Sequence, residues 1–190
     1  MIITYQDKNY FKLQSGDDAI LVDPTDQRSF RGANIALNTK KPANTEEPSS
    51  DEEIFWIDHS GEYEIGGTRI NGWQSSSNDE EKTIYRIDFE GFRIVIFGFL
   101  EEVPEEELQE HLTDVDIVIS PAGGDGLVKP NKIAKFIRQI EPGLIIPSFS
   151  KDLKSFLNEF NTKECKEEEK IVLRKNDVKK GEMEVRCLKS

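Results

Sequence analysis

Residues 55–73, FWIDHSGEYEIGGTRINGW, carry the pattern on which the fold prediction depends. Two short apolar runs flank a turn that contains Gly61, Gly66 and Gly67, which is typical of a strand, a sharp turn and a β-hairpin. His59, one of two histidines in the chain, lies in that turn. A histidine among carboxylates makes this segment the first candidate for a functional site.

Upstream of this stretch, the chain has the pattern of an antiparallel strand meander. Turn residues at 15–18 separate two apolar runs, and Asp23-Pro24 ends the meander because proline cannot donate a hydrogen bond to a strand ladder. The predicted strands are 2–5, 10–14, 19–22 and 34–38.

Downstream, predicted strands alternate with predicted helices. The apolar run 94–97 indicates a strand that is buried on both faces. A meander followed by strand-helix units indicates an α/β layered domain in which helices cover the sheet faces. The predicted strands are 83–89, 92–97, 115–119, 144–146, 170–173 and 183–188. The predicted helices are 105–112, one that begins at Pro130 and ends near Pro142, and one capped by Ser150. In the second of these, an apolar stripe at helical spacing is predicted to face the sheet; it consists of Ile133, Phe136, Ile137 and Ile140.

Composition limits the classes of function. The 190 residues suit one domain, and 37 acidic against 25 basic side chains give a net charge of −12. Such a surface repels phosphate backbones and anionic membranes, so we expect no nucleic-acid or membrane partner. No apolar run approaches the roughly 20 residues that span a bilayer, and the start lacks a basic segment followed by an apolar run. The expected location is therefore the cytoplasm.

Outside the predicted elements, the polar segments and the cysteines are informative. Segments 39–53 and 75–82 have no hydrophobic periodicity and are predicted to be solvated surface loops.

Cys165 and Cys187 lack the CxxC or Cys/His spacing of a zinc site. Two reduced thiols are therefore expected in preference to a disulfide.

Four stretches, in this order along the chain, resemble the metallo-β-lactamase fold family. They are AILVDP at 19–24, IDHSGEYEIGG at 57–67, DIVISPAGG at 116–124 and IEPGLIIP at 140–147. The second is similar to the family's PGEYEVGG turn, and the set looks like the bacterial branch of ascorbate-6-phosphate lactonases and related metal-dependent hydrolases. The resemblance covers nearly the whole chain. It implies a single αββα domain over 1–190, with two packed sheets and helices outside.

The family's chemistry depends on histidines and aspartates that hold one or two cations and polarise water. Its T-H-x-H-x-D-H motif falls at 39–45, which reads TKKPANT, and its H-x-G-D motif falls at 96–99, which reads IFGF. The histidine expected after the strand that ends near Trp73 is absent from 74–78, and the last ligand position is Phe149. The resemblance therefore implies that the metal ligands are lost.

The replacements also change the character of the former site. Phe99 and Phe149 are expected to fill and dry it, and Lys40 and Lys41 are expected to repel a divalent cation. The two histidines of the chain also fall short of the roughly four or five imidazoles of a two-metal site. We interpret the chain as a pseudoenzyme with no catalytic, cofactor-binding or metal-binding residues. It is expected to bind a ligand or protein partner, or to form a homo-oligomer.

A rebuilt metal site is the alternative hypothesis. In it Asp23, Asp58 and Glu62 hold the metal ion of a lactonase- or phosphodiesterase-type hydrolase, with His59 in the same residual pocket. Asp58, Glu62 and Glu64 are also candidate oxygen ligands for a magnesium or calcium ion. Strand alternation puts Glu62 and Glu64 on the same face, whereas Asp58 lies across the turn. By itself His59 is expected to be a turn histidine, because one imidazole without a partner makes no site.

Overall fold

The structure is a computed structural model, and it describes residues 1–26, 30–41, 54–76, 80–149 and 152–190. The strands are β1 (Ile2–Asp7), β2 (Tyr10–Ser15), β3 (Asp18–Val22), β4 (Ile35–Leu37), β5 (Lys40–Lys41), β6 (Phe55–Ile57), β7 (Gly61–Ile65), β8 (Thr68–Ser76), β9 (Glu81–Phe89), β10 (Phe92–Ile96), β11 (Ile117–Pro121), β12 (Leu144–Ser148), β13 (Glu167–Glu168), β14 (Ile171–Val172), β15 (Glu184–Val185) and β16 (Cys187–Leu188). The α-helices are α1 (Glu106–His111), α2 (Pro130–Ile140) and α3 (Leu153–Glu159).

Two mixed sheets form the body of the domain. The first has the order β14-β1-β2-β3-β4-β6, in which β3, β4 and β6 are parallel. The second has the order β15-β12-β11-β10-β9-β8-β7, with β5 paired to β9. Its strands β10, β11 and β12 are parallel, whereas β7 to β10 are antiparallel. The predicted N-terminal meander and the predicted hairpin within 55–73 are confirmed.

The main core lies between the two sheets. Ile94 and Ile96 of β10 point into it, whereas Val95 and Phe97 pack in a second cluster on the other side of the sheet. The run 94–97 is therefore buried on both faces, as predicted, because the sheet has a layer on each side.

All three α-helices formed by the described residues pack on the outer face of the second sheet. The predicted helical stripe of α2 faces that sheet, and its buried members are Ile133, Ala134, Phe136, Ile137 and Ile140. On the first sheet, a smaller cluster forms where Phe30 packs edge-on against Trp56 of β6. Two packed sheets with helices outside confirm the predicted layered fold. The longest described helix has 11 residues, so none of the described helices is long and apolar enough to cross a membrane.

The predicted surface loop at 39–53 begins later than the sequence indicates. Thr39 is buried, and Lys40–Lys41 forms β5, whose residues pair with Lys82 and Glu81 of β9. Hydrophobic periodicity misses this strand because both of its side chains are charged. Residues 42–53 lie outside the described part of the chain.

The predicted loop at 75–82 is also partly strand. β8 extends to Ser76, β9 begins at Glu81, and Lys82 is buried with its ammonium group paired to Glu101. In the sequence, a lysine that is buried and paired with a carboxylate cannot be distinguished from a lysine that is exposed to solvent. The pattern therefore predicted a loop at Lys82. Residues 77–79, and the predicted helix cap Ser150, lie outside the described residues.

The prediction of two reduced thiols is wrong in this structure, because Cys165 and Cys187 form a disulfide. Cys187 lies on β16, which pairs in parallel with β13, two residues after Cys165. Arg186 and Glu168 reinforce that pairing with two hydrogen bonds of 2.8 and 2.6 Å. The disulfide depends on a contact between segments that are distant in sequence, and cysteine spacing does not reveal such a contact.

Candidate functional site

The carboxyl ends of the parallel strands of both sheets meet at one edge of the sandwich. In the first sheet, β3 leads into Asp23 and β6 leads into Asp58. In the second sheet, β10 leads through Gly98 to Phe99, and β12 leads into Phe149. Ligands of α/β proteins bind at the carboxyl ends of parallel strands. This edge is therefore the candidate functional site.

Asp23 is the buried acid at this edge, with 2 % of its surface exposed. Its Oδ1 accepts a hydrogen bond from the Thr39 backbone amide at 2.6 Å. Its Oδ2 accepts from Thr39 Oγ1 and from Asn9 Nδ2, both at 2.5 Å. Burial raises the pKa of Asp23 to about 6, and the hydrogen bonds from Thr39 and Asn9 oppose that rise. The carboxylate thus ties three chain segments together.

A cavity of about 520 Å³ opens next to this cluster. The side chains of Phe99 and Phe149 line it, with ring centroids 4.9 Å apart in an edge-to-face contact. Lys8 also lines the cavity, and Lys40 Nζ lies 5.6 Å from the Phe99 ring centroid. The structure therefore brings the two predicted phenylalanines together and adds lysine side chains beside them.

Asp58, His59 and Lys41 form an exposed cluster at the end of β6. Lys41 Nζ lies 2.7 Å from His59 Nε2 and 3.1 Å from Asp58 Oδ2, and His59 Nδ1 contacts the other carboxylate oxygen. The hydroxyl groups of Tyr63 and Tyr85 donate to the His59 carbonyl at 3.2 and 3.1 Å. His59 is therefore held within its turn, and the Asp58 charge is balanced by Lys41.

The other candidate carboxylates are on the surface. Glu62 and Glu64 are exposed on β7, and Glu64 Oε2 lies 3.4 Å from Arg69 Nε. Asp23 is engaged by Asn9 and Thr39, away from solvent. In the part of the chain that the structure describes, no three histidine, cysteine, aspartate or glutamate side chains are grouped to hold a metal ion.

The residues around the cavity do not fit the cation that the fold family implies. Zinc takes imidazole nitrogen, thiolate sulfur or carboxylate oxygen as ligands, three or four at a time. The cavity offers two phenyl rings, the ammonium groups of Lys8 and Lys40, and Ser190. The Tyr5 hydroxyl, also in the lining, donates to the Lys8 carbonyl. Among the described residues, the acidic side chains of the cavity, Asp7 and Asp125, belong to no group of three possible metal ligands. This donor set does not hold a divalent cation.

The sequence analysis did not predict a role for two residues at this edge, Asn9 and Thr39. Asn9 lies in the turn between β1 and β2, and its side-chain amide donates a hydrogen bond to Asp23. Thr39 keeps the threonine of the family motif and supplies two of the three hydrogen bonds to that acid. Thr39 is the first residue of segment 39–45, in which the histidines and the aspartate of the family motif are replaced. Its retention was the one sequence feature that could have indicated its role.

Comparison with known proteins identifies the family of this chain. The sequence profile of the beta-lactamase superfamily domain matches residues 2–148. The chain belongs to the β-lactamase superfamily. No curated protein matches the chain by sequence.

Solved structures of other proteins share the fold across nearly the whole chain. A candidate Zn-dependent hydrolase of the metallo-β-lactamase superfamily from Thermotoga maritima has a TM-score of 0.79 at 18 % identity, covering 98 % of this chain and 97 % of its own. A candidate metal-dependent hydrolase from Parabacteroides distasonis has a TM-score of 0.70 at 17 % identity, covering 98 % and 91 %. Isothiocyanate hydrolase from Delia radicum gut bacteria has a TM-score of 0.67 at 12 % identity, covering 90 % and 99 %. At these identities the likeness shows the metallo-β-lactamase fold alone.

Proposed function

We propose that this chain is a pseudoenzyme of the superfamily, a non-catalytic protein that binds a ligand or a protein partner or assembles with itself. The observation that carries the proposal is the cavity wall, where Phe99, Phe149 and Lys40 occupy the positions that the family resemblance assigns to metal ligands. We place it in the branch that resembles the ascorbate-6-phosphate lactonases. A net charge of −12 supports a role without nucleic acid, and we propose the cytoplasm as its location.

The chemistry of the superfamily explains why these replacements matter. A metal-dependent hydrolase needs a cation that lowers the pKa of a bound water and polarises the scissile group. A phenyl ring cannot coordinate zinc, and an ammonium group repels it. The buried Asp23 does not replace the lost ligands, because its carboxylate accepts hydrogen bonds from Thr39 and Asn9.

The rebuilt carboxylate site has less support. It requires Asp23, Asp58 and Glu62 to converge on one ion. Asp23 is buried, Asp58 is paired with Lys41, and Glu62 is exposed on β7. A metal ion at Asp58 would have to displace the Lys41 ammonium group.

Elemental analysis and activity assays on the same purified sample test the proposal. We expect zinc, manganese and iron well below one ion per chain, and no hydrolysis of bis(p-nitrophenyl) phosphate or of a lactone above the buffer rate. Near-stoichiometric metal together with hydrolysis would overturn the proposal. In that case loss of activity in Asp58→Asn would assign the chemistry to the chain and not to a contaminant.

A further inference from the structure

We propose that the cavity at the carboxyl edge binds a small anion with a flat apolar body, of the class of aromatic carboxylates. This inference rests on the proposed function, because it names the ligand class of a pocket that has lost metal chemistry. Shape, wall chemistry and charge each contribute to it.

The shape of the cavity suits a small organic molecule. Its volume of about 520 Å³ lies within the roughly 300–1,000 Å³ of typical ligand pockets. Phe99 and Phe149 meet edge to face, and Leu127 adds an aliphatic wall. A flat aromatic ring packs favourably on such a pair of phenyl rings.

The loops that line the cavity follow the carboxyl ends of parallel strands. Phe99 follows β10, Gly123 and Gly124 follow β11, and Phe149 follows β12. A Cβ on Gly123 would lie 3.2 Å from the Pro130 ring, which places this loop against the first turn of α2. That turn itself contains no acidic residue, whereas Asp152 lies against the same loop, with its Cβ 3.1 Å from that position. The positive charge at the cavity therefore comes from lysine side chains.

Two lysines supply the positive charge. Lys40 lies over the Phe99 ring and its ammonium group is 2.8 Å from Glu80. Lys8 lines the cavity in the turn between β1 and β2, and within the described residues no carboxylate lies in salt-bridge distance of it. An anionic group bound beside Lys8 gains a charge-assisted contact that the protein itself does not provide.

Acidic side chains lie beside the lysines, so the sign of the charge on the ligand can be tested. Asp7 and Asp125 also line the cavity, and the chain as a whole carries −12. A cation is therefore the competing occupant. Removing the Asp7 charge strengthens the binding of an anion and weakens the binding of a cation, so one variant separates the two cases.

Fluorescence titration with three probes of the same shape tests the proposal. The probes are 1-naphthoate, neutral 1-naphthamide and cationic 1-naphthylmethylammonium. We expect 1-naphthoate to bind about tenfold more tightly than the amide, since roughly 1.4 kcal/mol of charge interaction corresponds to that ratio. The affinity should fall as salt is added, because the lysines are near the surface. Equal binding of acid and amide, or tighter binding of the ammonium probe, would overturn the proposal.

Variants locate the binding. Lys8→Met and Lys40→Met should each weaken 1-naphthoate by about threefold, the scale of an exposed ion pair. Asp7→Asn should tighten the binding of 1-naphthoate, and Phe99→Ala should weaken the binding of all three probes.

Lys154→Met, on the exposed side of α3, is the matched control and should leave the binding of each probe unchanged. An equal effect of Lys154→Met and Lys8→Met would show a general field effect and contradict a site. None of these titrations depends on metal content, so the ligand class can fail while the metal-free pseudoenzyme stands.

Discussion

Asp23 is the residue at which burial, hydrogen bonding and charge compete most directly. Removal from water disfavours its charged form, and three hydrogen bonds from Thr39 and Asn9 favour it. Burial prevails, and the pKa rises from 3.8 to about 6. The backbone at Asp23 is also unusual, with φ at +45°. The residue is therefore a structural connector whose contribution to stability depends on pH.

The direction of that dependence follows from the raised pKa. The folded protein binds the Asp23 proton more tightly than the unfolded chain, so the stabilisation is complete below pH 3.8 and is lost as pH rises through about 6. Urea unfolding from pH 4 to 8 should show the wild type losing roughly 2.5 kcal/mol relative to Asp23→Asn, on the scale of 1.4 kcal/mol per pKa unit. In this variant the Asn9 amide can rotate and accept a hydrogen bond, since its Oδ1 has no partner among the described residues. A difference that does not change with pH would contradict this explanation.

Gly98 provides a second test at the residue scale. Its φ is +58°, and a Cβ there would clash with the Thr39 side chain. Gly98→Ala should destabilise the protein by about 3 kcal/mol, through backbone strain plus overpacking. Gly126 is the matched control, because its φ is +74° and no atom lies within 4 Å of the position that a Cβ would take. Gly126→Ala should cost about 1 kcal/mol from strain alone. Equal losses in chemical denaturation would show that Thr39 is not packed against Gly98.

At the scale of elements, the C-terminal strand is held by a crosslink. β16 pairs with the two-residue strand β13, and Cys187 on β16 is bonded to Cys165 across 22 residues of sequence. Leu188 anchors the same strand in the main core. Such short strands have few hydrogen bonds, so the covalent link is a large part of what fixes them.

Reduction should therefore lower stability. A disulfide that closes a loop of this length contributes about 3 kcal/mol. We expect dithiothreitol, or Cys165→Ser, to lower the melting temperature by several degrees. The variant with both cysteines replaced by serine should not respond to dithiothreitol, which separates the disulfide from other effects of the reductant. Two thiols that react at once with a thiol reagent in the native, unreduced protein would contradict the crosslink.

The elements that sequence predicts well are those with a strong periodic signal. The run 94–97 and the α2 stripe follow directly from apolar spacing, and the hairpin within 55–73 follows from its glycines. β5 and the disulfide were missed for the same physical reason. Both depend on partners distant in sequence, Lys82 on β9 for one and Cys187 on β16 for the other, and no local pattern encodes those partners.

For the whole molecule, the sequence predicted the scaffold better than the site. Four ordered motifs predict the superfamily fold, and the profile match over residues 2–148 confirms it. The cavity depends on how the edges of two sheets approach each other, which brings Lys8, Lys40, Phe99 and Phe149 together from four segments. The family resemblance predicted Phe99, Phe149 and Lys40 at this edge, whereas the place of Lys8 in the cavity wall becomes visible only in the fold.

The pseudoenzyme proposal depends on one claim, that this edge of the fold binds no catalytic metal. Anomalous diffraction from crystals soaked in manganese is its sharpest test. We expect no anomalous peak beside Phe99 and Phe149, with the two rings in contact and Asp23 still bound to Asn9 and Thr39. A peak ligated by Asp23, Asp58 and Glu62 would contradict the proposal.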